Sequence, residues 1–373
     1  MAWATTQGAT RQGLVVDGLA RRLSLLLPET SLRARGWLER GAAIVPAFEG
    51  RMQPIVSYTR AVAARGDDLE LSIYAGFAAY MLALVGRLDE ADHWLGELRR
   101  LTRRHQTTFA VETIGNGYAA AIVSEALRGD LRVATRRREC AAPTGSVFAL
   151  TAAAALGQVA LWTRDPDTMQ CAVEWSRRPT VPMLACSAPL VSCAAATLDD
   201  EVESAADHAE DFAELAPRVP VYFVQGWPTC NAALLAGGRL DVAHATTERA
   251  ASLVDGMESA PFSIAAVHLC RAQIAAHRAD IGAADRFARD ALRIAAACRF
   301  ELLVVDSLEL IAAAAACRGE TAVAGALAGA TEARRRELGY RFRASGAARA
   351  RAPIGAAGLT ISGAIDLVRT TGQ

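Results

Sequence analysis
The sequence predicts an all-α protein: an α-solenoid built from degenerate helix pairs that recur with a period near 40 residues. Three observations predict it. A short turn phrase recurs at Gly86-Arg-Leu-Asp-Glu-Ala91, Gly129-Asp-Leu-Arg-Val-Ala134, Gly238-Arg-Leu-Asp-Val-Ala243, Ala279-Asp-Ile-Gly-Ala-Ala284 and Gly319-Glu-Thr-Ala-Val-Ala324, with weaker copies at Arg164–Asp167 and Leu198–Glu201. Between turns, apolar residues fall at helical spacing: Leu88, Ala91, Trp94, Leu95, Leu98 and Leu101 in one segment, Ala284, Phe287, Ala288, Ala291, Leu292 and Ala295 in another. No comparable run alternates with period two, so no sheet is expected.

Taken along the chain, residues 1–12 read as a flexible lead and 13–342 as the helical array. Residues 343–373 read as a basic, small-residue tail ending in a short helix at 360–370. In each turn, Gly leaves the first helix in a left-handed conformation that other residues resist. The Asp that follows is expected to cap the second helix, and Ala lets the two helices approach closely. One pair cannot bury its own apolar faces, so neighbours must stack on one another. The spacing of the turns is that of tetratricopeptide-like pairs and is too long for strand-based leucine-rich repeats.

Composition excludes several chemistries. Of the 373 residues, 52% are apolar and 21% charged, too apolar for a disordered chain. Basic and acidic residues balance at 40 each, which gives no global pull toward nucleic acid or a membrane surface. All the basic residues are arginine, so neither a Schiff-base lysine nor a P-loop lysine exists. The eight cysteines form no C-x-x-C pair and read as small buried side chains in a reducing compartment. The first residues lack a signal-peptide layout, and the apolar stretch 148–162 is interrupted by Gln158 and too short to span a bilayer. A cytoplasmic protein is expected.

Catalytic signals are sparse. No two of His93, His105, His208, His244, His268 and His277 have the spacing of a helical metal site, and no G-x-S-x-G marks a nucleophile. No enzyme, metal or cofactor is expected. Two other features stand out. Asp199, Asp200, Glu201, Glu203, Asp207, Glu210, Asp211 and Glu214 form an acidic run, a docking surface for a basic partner or for the chain's own tail, where Arg334, Arg335, Arg336, Arg341, Arg343, Arg349 and Arg351 gather. The phrase Pro220-Val-Tyr-Phe-Val-Gln-Gly-Trp-Pro228 concentrates aromatics in a chain that is only 6% aromatic. Tyr222, Phe223, Gln225 and Trp227, with Asp207 and Asp211 beside them, are the expected ligand- or partner-binding residues on a concave face, which Tyr74, Tyr80 and Tyr118 would also line.

Several stretches resemble the helical arm of large actinobacterial regulators of the signal-transducing NTPase class, the LuxR-type regulators among them. They are Trp37-Leu-Glu-Arg40 with the following 48–67, Gly86–Leu95, Ala284–Cys298, Ala326–Gly339 and Leu359–Val368. Together they cover roughly residues 14–370, without the NTPase and helix-turn-helix domains of that family. The resemblance implies a non-catalytic sensor or protein-interaction scaffold of a bacterial transcription-regulator system. Its partner would be a protein, such as an NTPase or DNA-binding regulator, or a small-molecule effector, with no direct nucleic-acid or membrane binding. A small-molecule enzyme on an all-helical scaffold is the alternative.

Overall fold
The computed structural model describes residues 32–105, 111–137, 149–177, 184–343 and 359–371. The expected flexible lead at 1–12 and most of the expected basic tail, 344–358, lie outside the described residues. Every regular element among the described residues is helical, so the chain is all-α. A leading pair, α1 (Leu32–Phe48) and α2 (Gln53–Arg65), is followed by α3 (Asp68–Val85) and α4 (Leu88–His105), then α5 (Val111–Leu127) and α6 (Leu131–Arg136). Next come α7 (Ala149–Thr163) and α8 (Pro166–Ser176), α9 (Ser187–Leu198) and α10 (Val202–Leu215), and α11 (Pro220–Ala236) and α12 (Leu240–Asp255). The series ends with α13 (Pro261–His277) and α14 (Ile281–Cys298), α15 (Glu301–Cys317) and α16 (Thr321–Leu338), and α17 (Ile361–Thr371).

The turns behave as their sequence dictates. Gly86, Gly129, Gly238, Ala279 and Gly319 all have positive φ, as do Arg164 and Asp200 in the two weaker copies. Capping divides by spacing. Asp130, Asp165 and Asp280, directly after the turn residue, accept from backbone N–H groups of α6, α8 and α14. Asp89 and Asp241 lie one step inside their helices instead, in the first turn, where a carboxylate complements the helix dipole without capping.

The two helices of a pair have different faces. In α3, α11 and α15 the buried residues run almost continuously around the helix, the mark of an element surrounded by protein. In α4 and α14 only one stripe is buried: Leu88, Ala91, Trp94, Leu95 and Leu101 in α4, and Ala284, Ala288, Ala291, Leu292 and Ala295 in α14. The first helices pack on one another in chain order from α3 to α15, and the second helices cover them. Helix α3 is long and apolar enough to cross a membrane, but its surface is taken up by protein neighbours.

The inner layer also closes on itself. Helix α3 packs against α11 and α13 as well as α5, and α11 reaches α1. The Tyr222 ring on α11 stands 6.0 Å from Phe48 of α1 and 6.0 Å from Tyr80 of α3. Glu258, after α12, donates its backbone N–H to the Gly50 carbonyl (3.1 Å), and its carboxylate accepts from Gln53 N at the start of α2. At the end of the chain α17 packs on α14 and α16, and the Arg289 guanidinium donates to the Val368 carbonyl (2.8 Å).

Gly86 tests this closure. Its φ is +87°, and a Cβ there would stand 2.5 Å from Phe262 Cβ, 2.6 Å from Phe300 Cζ and 2.8 Å from the Phe262 backbone N. Gly86→Ala is therefore expected to cost about 2–4 kcal/mol, a left-handed penalty plus overpacking. Gly238, at φ +71° with open space around it, isolates the backbone term, so Gly238→Ala is expected to cost only about 1 kcal/mol. Urea denaturation of both variants checks the difference; equal losses would mean that the Phe262–Phe300 contact is not tight.

Candidate functional site
The aromatic phrase does not line an open groove. Tyr222, Phe223 and Trp227 are all buried on α11, because that helix is enclosed on every side. The Trp227 indole N–H donates to Thr247 Oγ1 (2.9 Å), and Phe223 lies 5.6 Å from its ring and 6.0 Å from Phe212. Gln225 is also buried and exchanges amide hydrogen bonds with Gln158 of α7 (2.8 and 3.1 Å). Beside this pair lies an internal cavity of only about 40 Å³, bordered also by Gln273, Asp306 and Tyr340. That is room for about one water, not for a ligand. Tyr74, Tyr80 and Tyr118 are core residues too. The expectation of a binding surface at Tyr222, Phe223, Gln225 and Trp227 is thus corrected: they hold the inner layer together.

Asp207 and Asp211 are exposed on α10, as expected of an acidic face. Their counter-charge among the described residues is not a C-terminal arginine. Arg239, at the start of α12, reaches Glu203 (3.3 Å), Asp207 (2.6 Å) and Glu210 (2.8 Å), and its pKa is raised by those hydrogen bonds, Glu210 first. Asp200 pairs with Arg164 (3.1 Å), and Asp211 lies 3.8 Å from His208.

Arg334, Arg335 and Arg343, among the C-terminal arginines, have acids of their own. Helix α16 ends at Gly339, in the left-handed conformation, and residues 339–343 cross to the end of α7, where the Trp162 carbonyl accepts from Arg341 N (2.7 Å) and Phe342 N (3.1 Å). Arg335 anchors this strap from below. Its guanidinium donates to Asp306 Oδ1 (2.6 Å), to both oxygens of Glu309 (2.6 and 2.7 Å) and to the Phe342 carbonyl, and stacks 4.3 Å from the Tyr340 ring. Tyr340 donates its hydroxyl to Asp306 Oδ2 (2.7 Å). Burial disfavours the Arg335 cation, but Asp306, Tyr340 and Glu309 outweigh it, so its pKa stands above the usual arginine value. Burial also pushes the Asp306 carboxyl up to about 6, against the pull of Arg335. Arg343 pairs with Glu309 and Glu332, and Arg334 with Glu301 and Glu337.

Above the strap opens a cleft of about 1060 Å³, walled by α6, the α7–α8 turn, the end of α16 and the strap itself. Its lining is dominated by arginine: Arg132, Arg136, Arg164, Arg335, Arg336, Arg341 and Arg343, against Asp165 and Glu332. Arg164, Arg335 and Arg343 are held by the acids named above. Arg132, Arg136, Arg336 and Arg341 are exposed and have no carboxylate partner among the described residues. Arg136 and Arg336 make only long Nε bonds to the Arg132 and Glu332 carbonyls (both 3.4 Å), and such forks are suited to capture of carboxylate or phosphate. The basic C-terminal stretch pointed to half of this cleft. Arg132 and Arg136, one helical turn apart on α6, were missed; the arginine density after the Gly129 turn was the available signal.

Among the described residues no group of three or more His, Cys, Asp and Glu gathers at metal-binding range. The thiols of Cys186, Cys230 and Cys270 are buried, and burial raises their pKa values, that of Cys186 to about 12. No family model, curated protein or solved structure matches the chain.

Proposed function
We propose that the chain is a tetratricopeptide-like α-solenoid serving a bacterial transcription-regulator system as a non-catalytic, cytoplasmic sensor or protein-interaction scaffold, and that it binds its partner at the arginine-lined cleft. The solenoid reading is supported by first helices that begin at Asp68, Val111, Ala149, Ser187, Pro220, Pro261 and Glu301. The regulator reading rests on the resemblance to the helical arm of LuxR-type proteins, with an NTPase or DNA-binding regulator as the partner it implies. The observation that carries the binding reading is the set of four exposed arginines around one cleft that have no carboxylate partner among the described residues. Exposed cations that no carboxylate neutralises are suited to meet the acids of another molecule.

The test is capture from host lysate with wild-type chain and with Arg132→Glu/Arg136→Glu. A partner retained by the first and at least about tenfold depleted from the second is the expected result. Equal retention moves the binding surface off the cleft. A tightly held metabolite with no protein partner favours the enzyme alternative.

A further inference from the structure
We infer that the cleft takes an extended protein segment in which a run of carboxylates is followed by aliphatic side chains. This inference rests on the scaffold reading and goes further by naming the partner's chemistry.

Size is the first argument. A second space of about 460 Å³ adjoins the cleft, and Arg164, Arg341 and Arg343 border both. Together they exceed the 300–1,000 Å³ of an ordinary small-molecule pocket. An elongated ligand fits such a pair of connected spaces better than a compact metabolite.

The lining changes along the way. At the α6 end it offers the unpaired forks of Arg132, Arg136, Arg336 and Arg341. At the far end, beside Asp200 and His277, it offers the exposed Val202 and Ala236 over the buried Ala205, Ala232 and Leu235. Val202 is 43% exposed, one of the few large apolar side chains left open to solvent. Arginine forks at the α6 end, and the exposed Val202 and Ala236 at the other, suit a ligand whose carboxylates are followed by aliphatic side chains.

Carboxylates are favoured over nucleic acid. Of the rings bordering the two spaces, Tyr340 and Phe342 are buried and His277 is half-buried with its Nδ1 at the Gln273 carbonyl (2.9 Å), so no row of open rings offers successive bases a stacking platform. Asp165, Asp200 and Glu332 also border the spaces, and three fixed acids would repel a continuous phosphate backbone. Two segments of the chain itself are poor counter-ligands. Residues 344–358, which follow the strap, contain no acid, and Glu203, Asp207 and Glu210 of the acidic helix are engaged with Arg239.

The probe is a short fluorescein-labelled peptide with a run of glutamates followed by leucines, read by fluorescence anisotropy on the full chain. Saturable binding is expected that weakens at least about tenfold in Arg132→Glu/Arg136→Glu and falls steeply with salt. A peptide with serines in place of the leucines should bind more weakly to wild type, and Val202→Asp should erase that difference. Circular dichroism checks that these surface variants fold. Three results overturn the inference: no saturable binding, binding untouched by the double substitution, or tighter binding of a mixed-sequence single-stranded oligonucleotide. Salt-sensitive self-association on sedimentation, abolished by the double substitution, also overturns it in favour of a second copy's acidic helix. The lysate capture separates the two levels. A partner that depends on Arg132 and Arg136 while the peptide fails leaves the scaffold reading standing and removes only the ligand class.

Discussion

Trp227→Ala is expected to cost about 3–5 kcal/mol of folding stability, the usual loss for truncating a large buried aromatic. The side chain is among the largest fully buried ones in the molecule. Its removal would open a void beside Phe223 and leave Thr247 Oγ1 with only a long contact to Asn231 (3.5 Å). That contact belongs to a buried polar row in which Asn231 also donates to Gln273 Oε1 of α13 (2.8 Å), so the damage spreads from α11 and α12 to the next pair. Urea denaturation followed by circular dichroism reads the loss directly. A variant with an unchanged midpoint but weaker partner binding would return the aromatic phrase to an accessible groove and contradict the packing described above.

The second large effect is expected at Arg335. Arg335→Met keeps much of the side-chain volume and removes the cation, leaving the buried Asp306 carboxylate without its arginine and Glu309 with Arg343 alone. Breaking a buried ion pair from one side costs about 3–5 kcal/mol. The loss should depend on pH. In the wild type burial holds the Asp306 pKa at about 6, above its value of about 4 in the unfolded chain. A carboxyl raised on folding favours the folded state below the unfolded pKa, and that contribution disappears as pH rises through the folded pKa. Without Arg335 to pull it down, the Asp306 pKa should rise further. Arg335→Met should therefore be least destabilised relative to wild type near pH 4 and most near pH 7. Urea titrations at both values check this; a deficit that is flat with pH would mean that Asp306 does not exchange a proton on folding.

The local grammar of the fold was legible because each of its rules acts within a few residues. Gly86, Gly129, Gly238 and Gly319 were read as left-handed turn residues, and all have positive φ; Ala279, at the same place in its turn, adopts it without being glycine. The apolar stripe of α14 was read residue by residue, with Phe287 alone more than marginally open to solvent. The terminal helix, expected at 360–370, runs over Ile361–Thr371. What the periodicity does not encode is the rotation from one pair to the next. That rotation brings α11 back onto α1 and α3, and so makes Tyr222 a core residue instead of a groove residue. One sign was present: Val221-Tyr-Phe-Val-Gln-Gly-Trp227 is apolar on all sides, the pattern of an enclosed helix. The cleft was half visible for the same reason. Arg336 and Arg341 are neighbours in sequence, whereas Arg132 meets them only through the tertiary arrangement of α6 and the strap.

The bond between Glu258 and the start of α2 spans 205 residues, and Tyr222 meets Phe48 and Tyr80 across long stretches of chain as well. In an open array each unit feels only its neighbours, so such proteins fray from the ends and tolerate losing a unit. Tying early helices to late ones removes that freedom. The chain should melt in one cooperative step, with no stable core surviving deletion of the leading pair. Its folding should be slow for an all-helical protein, since long loops must close before those distant contacts repay their entropy.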